Sequence, residues 1–347
     1  MNLPAGTETP RRILFINVSR IGDTLLVTPA VRAVAAAFPD AEITLLGHPK
    51  RVEILHNLPF VKRTGAISKQ RAPWLGRLSG RQFDLAFVCG YDAPLIDYAL
   101  RVAGQVIAFR QPDEALNARL FRAVEHPAFQ TEHAVRIQLR LPGALGIAAA
   151  GLNLAYRVGE AETRWAQAEL ATALPVTASP LIGLQIASFP TKAYRDWPLD
   201  HFIALTARIR AAWPQAHFLI LGGGEEKERT HRLSAHLGPA ASCYAGRLSL
   251  RQSAALMNEL DLYVGVDTGP THIMGALQRP MVALYHGYSP SRVLAPLDHS
   301  CAYIVDHPLA DLGATPETPM SDISVERVWD EVRKALSEHP PQARQSR

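Results

Sequence analysis

Short apolar runs rich in strand-forming residues alternate along the chain with longer stretches whose apolar positions recur every three or four residues. The first run, Ile13-Leu14-Phe15-Ile16-Asn17-Val18, has the length and composition of a buried parallel strand. A polar turn from Ser19 to Asp23 follows it. Thr24 to Phe38 then spaces Leu26, Ala30, Val34 and Ala37 along one helical face and stops at Pro39-Asp40. Pro29 is tolerated there only in a first turn, which moves the expected start of the regular helix to Thr28. Glu42 to Gly47 reads as the next strand and completes a strand, helix, strand unit. The same reading predicts strands over residues 83–89, 105–109, 181–187, 217–221, 262–266 and 281–285, and helices over 93–102, 199–213, 225–237, 250–260 and 324–336. Both halves therefore predict an α/β fold of two doubly wound, Rossmann-like domains facing a central cleft.

At 347 residues the chain exceeds what one hydrophobic core usually holds, which agrees with two domains. The rhythm loosens after Tyr156, and residues 172–180 carry two prolines, two threonines and a serine. The expected layout is a first domain over 1–165, a linker over 166–180, a second domain over 181–322, a final helix within 323–338 and a frayed tail over 339–347. With 48% hydrophobic and 20% charged residues the composition is that of a globular protein, not of a disordered scaffold or a coiled coil. The N-terminus lacks the charged-then-apolar order of a secretory signal, and the bland stretch Gly143 to Leu152 is about half a membrane span. Cys89, Cys243 and Cys301 are odd in number and form no CxxC pair, which argues against a disulfide framework and a zinc site. A soluble cytoplasmic protein is expected.

The formal net charge of +4 is unevenly placed, with 19 Lys and Arg against 13 Asp and Glu in residues 1–160 and 17 against 19 in residues 161–347. Lys50, Arg51, Lys62, Arg63, Lys69, Arg71, Arg77 and Arg81 share their stretch with a single acid, Glu53. A solvated surface and an anion-binding face both fit. Nucleic acid is not the expected partner, because only Phe60 and Trp74 interleave with these cations and no recognised binding module is present.

Open α/β sheets bind ligands beyond the carboxyl ends of their strands, so the residues after each strand matter most. Asp23 follows the first strand, with Gly22 before it to allow a tight turn; it reads either as a helix cap or as a general base. Asp267-Thr268-Gly269-Pro270-Thr271-His272 follows the 262–266 strand and opens a helix. Free amides, a hydroxyl, a close-approach glycine and a histidine there suit a phosphate, although a well-capped helix uses similar residues. Gly222-Gly223-Gly224-Glu225-Glu226 follows the 217–221 strand and suits either ribose hydroxyls or a flexible turn. Lys192 and Arg195 lie beyond the 181–187 strand, where a cation can meet diphosphate. The chain has no Walker A pattern, GxSxG elbow, HExxH or Asp-x-Asp pair, so a carboxylate-held metal is not indicated.

These motifs, in this order, resemble glycosyltransferase family 9, the ADP-heptose:lipopolysaccharide heptosyltransferases, over nearly the full chain. The resemblance rests on Gly22-Asp23 with Leu25-Leu26-Val27-Thr28-Pro29-Ala30 after it, on the Asp267 to His272 box, and more weakly on Trp197-Pro198 and the Gly-Gly-Gly-Glu turn. It implies a GT-B architecture with acceptor on the N-terminal domain, ADP-heptose on the C-terminal domain and a final helix packing back toward the N-terminal domain. By the same resemblance Asp23 is the base of an inverting, metal-independent transfer. Lys192 or Arg195 contacts the diphosphate, Glu225 or Glu226 the ribose, and Asp267, Thr268, Gly269 and His272 form the donor phosphate site. Gly22, Lys62, Arg63, Lys69 and Arg71 would meet an anionic glycolipid acceptor at the inner membrane of a Gram-negative cell, with no cofactor. The family commonly has a lysine beside the Trp-Pro pair, where this chain has Arg195-Asp196, so Lys192 and Arg195 compete. His286-Gly287-Tyr288-Ser289-Pro290 replaces the usual small turn. A GT-B-like nucleotide-sugar epimerase, a transferase using another sugar or a protein acceptor, and a non-catalytic nucleotide or polyanion binder are the alternatives.

Overall fold

A computed structural model of the chain describes residues 9–78, 80–128 and 130–341, and the chain divides into two units between Arg157 and Val158. The first unit holds six parallel strands: β1 (Arg12–Asn17), β2 (Glu42–Gly47), β3 (Arg63–Ala66), β4 (Phe83–Val88), β5 (Ala103–Phe109) and β6 (Arg122–Val124). Their order is β3-β2-β1-β4-β5-β6. The second unit holds β7 (Leu181–Gln185), β8 (His217–Leu221), β9 (Ala241–Cys243), β10 (Leu262–Val266), β11 (Met281–Tyr285) and β12 (Ala302–Asp306), ordered β12-β11-β10-β7-β8-β9. Counted from each unit's own first strand, the two orders are the same doubly wound one. The strand order reverses between β1 and β4 in the first sheet and between β7 and β10 in the second, and ligands collect at such switch points.

The central strands are buried on both faces, which is why they read as unbroken apolar runs. Phe15 and Phe87 are register partners on β1 and β4 and stack with ring centroids 4.7 Å apart. The helical stretch after β1 is two helices, Ile21–Leu26 and Thr28–Ala37. Pro29 has no amide to give Leu25, and the Thr28 hydroxyl supplies the bond instead, reaching the Leu25 carbonyl at 2.7 Å.

Two expectations change. The linker placed over 166–180 is largely a helix, Glu160–Ala173, and it belongs to the second unit: Glu162 takes two bonds from Arg251 at 2.7 and 2.6 Å, and Glu169 accepts from the Tyr244 hydroxyl at 3.1 Å. Its buried residues are only Ala166 and Leu170, too sparse a stripe to be read from the sequence. The first unit accordingly ends at Arg157, not at residue 165. The final helix, Val325–Glu338, places Val328, Val332, Ala335 and Leu336 in the core of the second unit. Of the expected frayed tail, residues 342–347 lie outside the described residues.

Candidate active site

In the second unit, β10 ends by delivering Asp267, which is 1% exposed. Tyr263 folds its phenol over Gly265 and donates to the Thr271 hydroxyl at 2.9 Å, because that hydroxyl's own proton goes to the Val266 carbonyl at 2.5 Å. A Cβ on Gly265 would lie 2.4 Å from the phenolic oxygen. This lock fixes the entry to helix Gly269–Leu277, where Thr268 is the extended cap residue and Pro270 occupies the second position. The amides of such a first turn lack intrahelical partners and carry the positive end of the helix dipole. Thr268, Gly269 and Pro270 stay part-exposed, whereas Thr271 and His272 are buried. His272 turns its Nε2 to within 3.5 Å of Asp267, so it backs this first turn from within.

Arg195 completes this centre. Its Nη1 lies 2.8 Å from the Asp267 carboxylate and donates to the Asp267 carbonyl at 3.2 Å. Its Nη2 donates to the Ser289 hydroxyl and its Nε to the Tyr194 phenol, each at 3.2 Å. Burial alone would push the Asp267 carboxyl up, but His272 and the Arg195 guanidinium outweigh it and hold the group below the usual carboxylate range. Burial likewise favours a protonated Tyr194, yet the bond to Ser289 and the Arg195 and Lys192 charges bring the phenol below its ordinary value.

Lys192 and Arg195 differ in their surroundings. Arg195 is occupied by Asp267, Ser289 and Tyr194. Lys192 interrupts the 3-10 turn Pro190–Arg195, is half-buried, and places its ammonium 5.6 Å from the Tyr194 ring, with no carboxylate paired to it among the described residues. The turn itself is stapled by Asp196, whose Oδ1 accepts from the Ser188 amide and hydroxyl at 2.7 Å each, while that hydroxyl also bonds the Lys192 carbonyl at 2.7 Å. Trp197 is wholly buried and donates to the Ile323 carbonyl at 2.8 Å, a role in packing.

Glu225 and Glu226 part company in the same way. Glu226 is half-buried, accepts from the Gly223 amide and caps the turn before helix Lys227–Leu237; burial raises its carboxyl, with Asp196 and Glu225 adding to the rise. Glu225 is exposed. The His286 to Pro290 segment, after β11, supplies Ser289 to Arg195. It is held by His286, whose Nδ1 accepts from the Tyr288 amide at 3.0 Å and whose Nε2 donates to the Thr318 carbonyl at 2.7 Å. Tyr194 and Ser289 went unread in the sequence, since nothing local shows that two loops 95 residues apart converge.

In the first unit, Asp23 stands exposed in helix Ile21–Leu26, beyond the carboxyl end of β1. It caps no amide; the Ser19 hydroxyl donates to its Oδ2 at 2.9 Å, so the capping reading falls away. Gly22 is the second residue of that helix and buried, with φ outside the left-handed region, so it makes no special turn. Arg51 donates to the Ser19 carbonyl at 3.0 Å and steadies this loop. The basic cluster splits across the sheet. Lys50 follows the carboxyl end of β2, and Lys69 and Arg71 that of β3, on the edge that carries Asp23. Lys62 and Arg63 open β3 toward the opposite edge, where Arg63 lies 3.8 Å from Glu42. Lys69 pairs with Asp92 at 2.5 Å. Among the described residues no group of three or more His, Cys, Asp or Glu is placed to hold a metal.

The profile of glycosyltransferase family 9 (heptosyltransferase) matches residues 102–314, more than half of the chain. Over 304 residues the chain is 22% identical to the lipopolysaccharide core heptosyltransferase OpsX of Haemophilus influenzae, covering 84% of this chain and 83% of that protein. The glycosyl transferase family 9 structure from Veillonella parvula matches with a TM-score of 0.81 at 20% identity, over 94% of this chain and 98% of that one. The E. coli ADP-heptose lps heptosyltransferase II matches with a TM-score of 0.76 at 21% identity, over 94% and 99%. Two tandem doubly wound units of this order are the GT-B architecture of those structures. The chain belongs to glycosyltransferase family 9, the heptosyltransferases.

Proposed function

We propose that this enzyme transfers a heptose from ADP-heptose to a hydroxyl of a lipopolysaccharide inner-core acceptor, with inversion at the anomeric carbon and without a metal ion. The observation that carries the reading is Asp23, an exposed carboxylate just beyond the switch-point strand β1 with a single hydroxyl as its partner among the described residues. The acceptor hydroxyl gives its proton to Asp23 as its oxygen bonds to the anomeric carbon, and the bond from that carbon to the phosphate oxygen breaks with its electron pair on ADP. Lys192 and the first-turn amides after Thr268 meet the growing diphosphate charge, and Glu225 takes the ribose hydroxyls. The names of the relatives above support heptose, ADP and lipopolysaccharide as the substrates. Cations on the Asp23 edge suit a phosphorylated acceptor, and the enzyme works at the cytoplasmic face of the inner membrane. No helix among the described residues is long and apolar enough to cross a membrane. Asp23→Asn is expected to lower kcat ~10²- to 10⁴-fold with ADP affinity unchanged. Near-normal turnover in that variant contradicts the mechanism.

A further inference from the structure

Between Glu53 and Asp84 the chain carries no acid, while Lys62, Arg63, Lys69, Arg71, Arg77 and Arg81 carry positive charge. Within that stretch, residues 69–78 are pinned from beneath. Ala72 is buried, and Leu75 packs on the core of the first unit. Arg101, on helix Ala93–Val102, donates to the Ala72 carbonyl at 2.6 Å and the Leu75 carbonyl at 3.1 Å. Gly76, with φ 72°, lies so close to that helix that a Cβ would come within 2.6 Å of Val102 Cγ1. The two large apolar side chains left outside this anchorage, Trp74 and Leu78, are 73% and 102% exposed. The Arg77 guanidinium lies 5.0 Å from the Trp74 ring.

We propose that this segment docks the enzyme on an anionic lipid bilayer, with Trp74 and Leu78 entering the headgroup boundary and Arg71, Arg77 and Arg81 meeting lipid phosphates. Tryptophan favours that boundary for its apolar body and polar N–H, and an aliphatic side chain beside it offers nothing for a nucleic-acid base to stack on. Surfaces that bind a bilayer reversibly combine apolar area with cations. Each cation near an anionic surface multiplies partitioning about fivefold. Arg101 and Gly76 present the apolar pair on a fixed backbone. The inference deepens the placement at the inner membrane given above and names the residues that make it.

The full-length protein is mixed with phosphatidylcholine vesicles, with or without phosphatidylglycerol, in the absence of sugar donor and acceptor, and the bound fraction is read by co-sedimentation. Binding is expected to require phosphatidylglycerol. It should fall about tenfold or more in the Trp74→Ser/Leu78→Ser pair, and similarly in the Arg71→Glu/Arg77→Glu/Arg81→Glu triple. Brominated acyl chains should quench tryptophan emission in the wild type more than in Trp74→Phe. The serine pair should keep the wild-type Tm and ADP affinity, since neither side chain is buried. Failure of the wild type to bind anionic vesicles, vesicle binding unchanged in the serine pair, or capture of an oligonucleotide in place of vesicles overturns the proposal. Vesicle binding without heptose transfer would leave this docking standing and remove the proposed reaction, and transfer to a soluble acceptor without vesicle binding would do the reverse.

Discussion

Asp267 is the residue on which the electrostatics of the second unit turn. It is buried, negative and paired with Arg195 at 2.8 Å, so removing its charge leaves a largely enclosed guanidinium uncompensated. Asp267→Asn is expected to destabilise the protein by about 3 kcal/mol in urea unfolding. Because folding lowers this carboxyl, its contribution is complete above its ordinary value of 3.8 and is lost as pH falls below that, so the acid limb of the stability curve should be shallower in Asp267→Asn. The two glutamates after β8 separate roles that adjacent residues cannot reveal by themselves. Glu225→Ala should raise the KM for ADP-heptose with Tm unchanged, whereas Glu226→Ala should lower Tm through the lost Gly223 cap. Asp267 directly follows the apolar run of β10, whereas Asp23 and Lys192 were picked out from the turns that come a few residues after theirs. The hydrogen bonds of Arg195 to Tyr194 and Ser289 were not legible, since these come from a turn after β7 and a loop after β11.

At the level of elements, the strands β8, β10 and β11 fall where the apolar runs placed them, because burial on both faces leaves a continuous signature, and β2 does so with burial that alternates along it. The short strands β3, β6 and β9, of four, three and three residues, were missed. They are partly exposed, and their pairing is decided by the neighbour strand more than by their own sequence. The segment after β11 carries a pH dependence of its own. Burial lowers the pKa of His286, and His307 and Arg195 lower it further against the opposing Thr318 bond, so the ring is neutral in the folded state. A proton on Nδ1 would face the Tyr288 amide that now donates to it. The folded value being lower than 6.5, stability is full above that pH and falls as pH drops through it. His286→Gln should flatten this part of the curve, and hydrogen exchange at the Tyr288 amide should rise with acid in the wild type alone.

Over the whole molecule, the sequence-level charge asymmetry acquires a direction. Lys50, Lys69 and Arg71 share the sheet edge of Asp23, and Lys62 and Arg63 do not. Reversing Lys50 and Lys69 should raise the KM for a soluble core acceptor several-fold and leave ADP affinity alone, while reversing Lys62 and Arg63 should change neither; steady-state kinetics on both pairs checks this. The domain boundary at Arg157 was misjudged for a related reason: the helix after it is polar on most sides and declares its unit only through Glu162, Glu169 and their partners. The most direct measurement is the mass and anomeric configuration of the product formed from ADP-heptose and a defined inner-core acceptor, with and without EDTA. One added heptose of inverted configuration, at equal rates in both conditions, is the predicted result. No addition from ADP-heptose where another nucleotide sugar is consumed, or retention of configuration, would contradict the account.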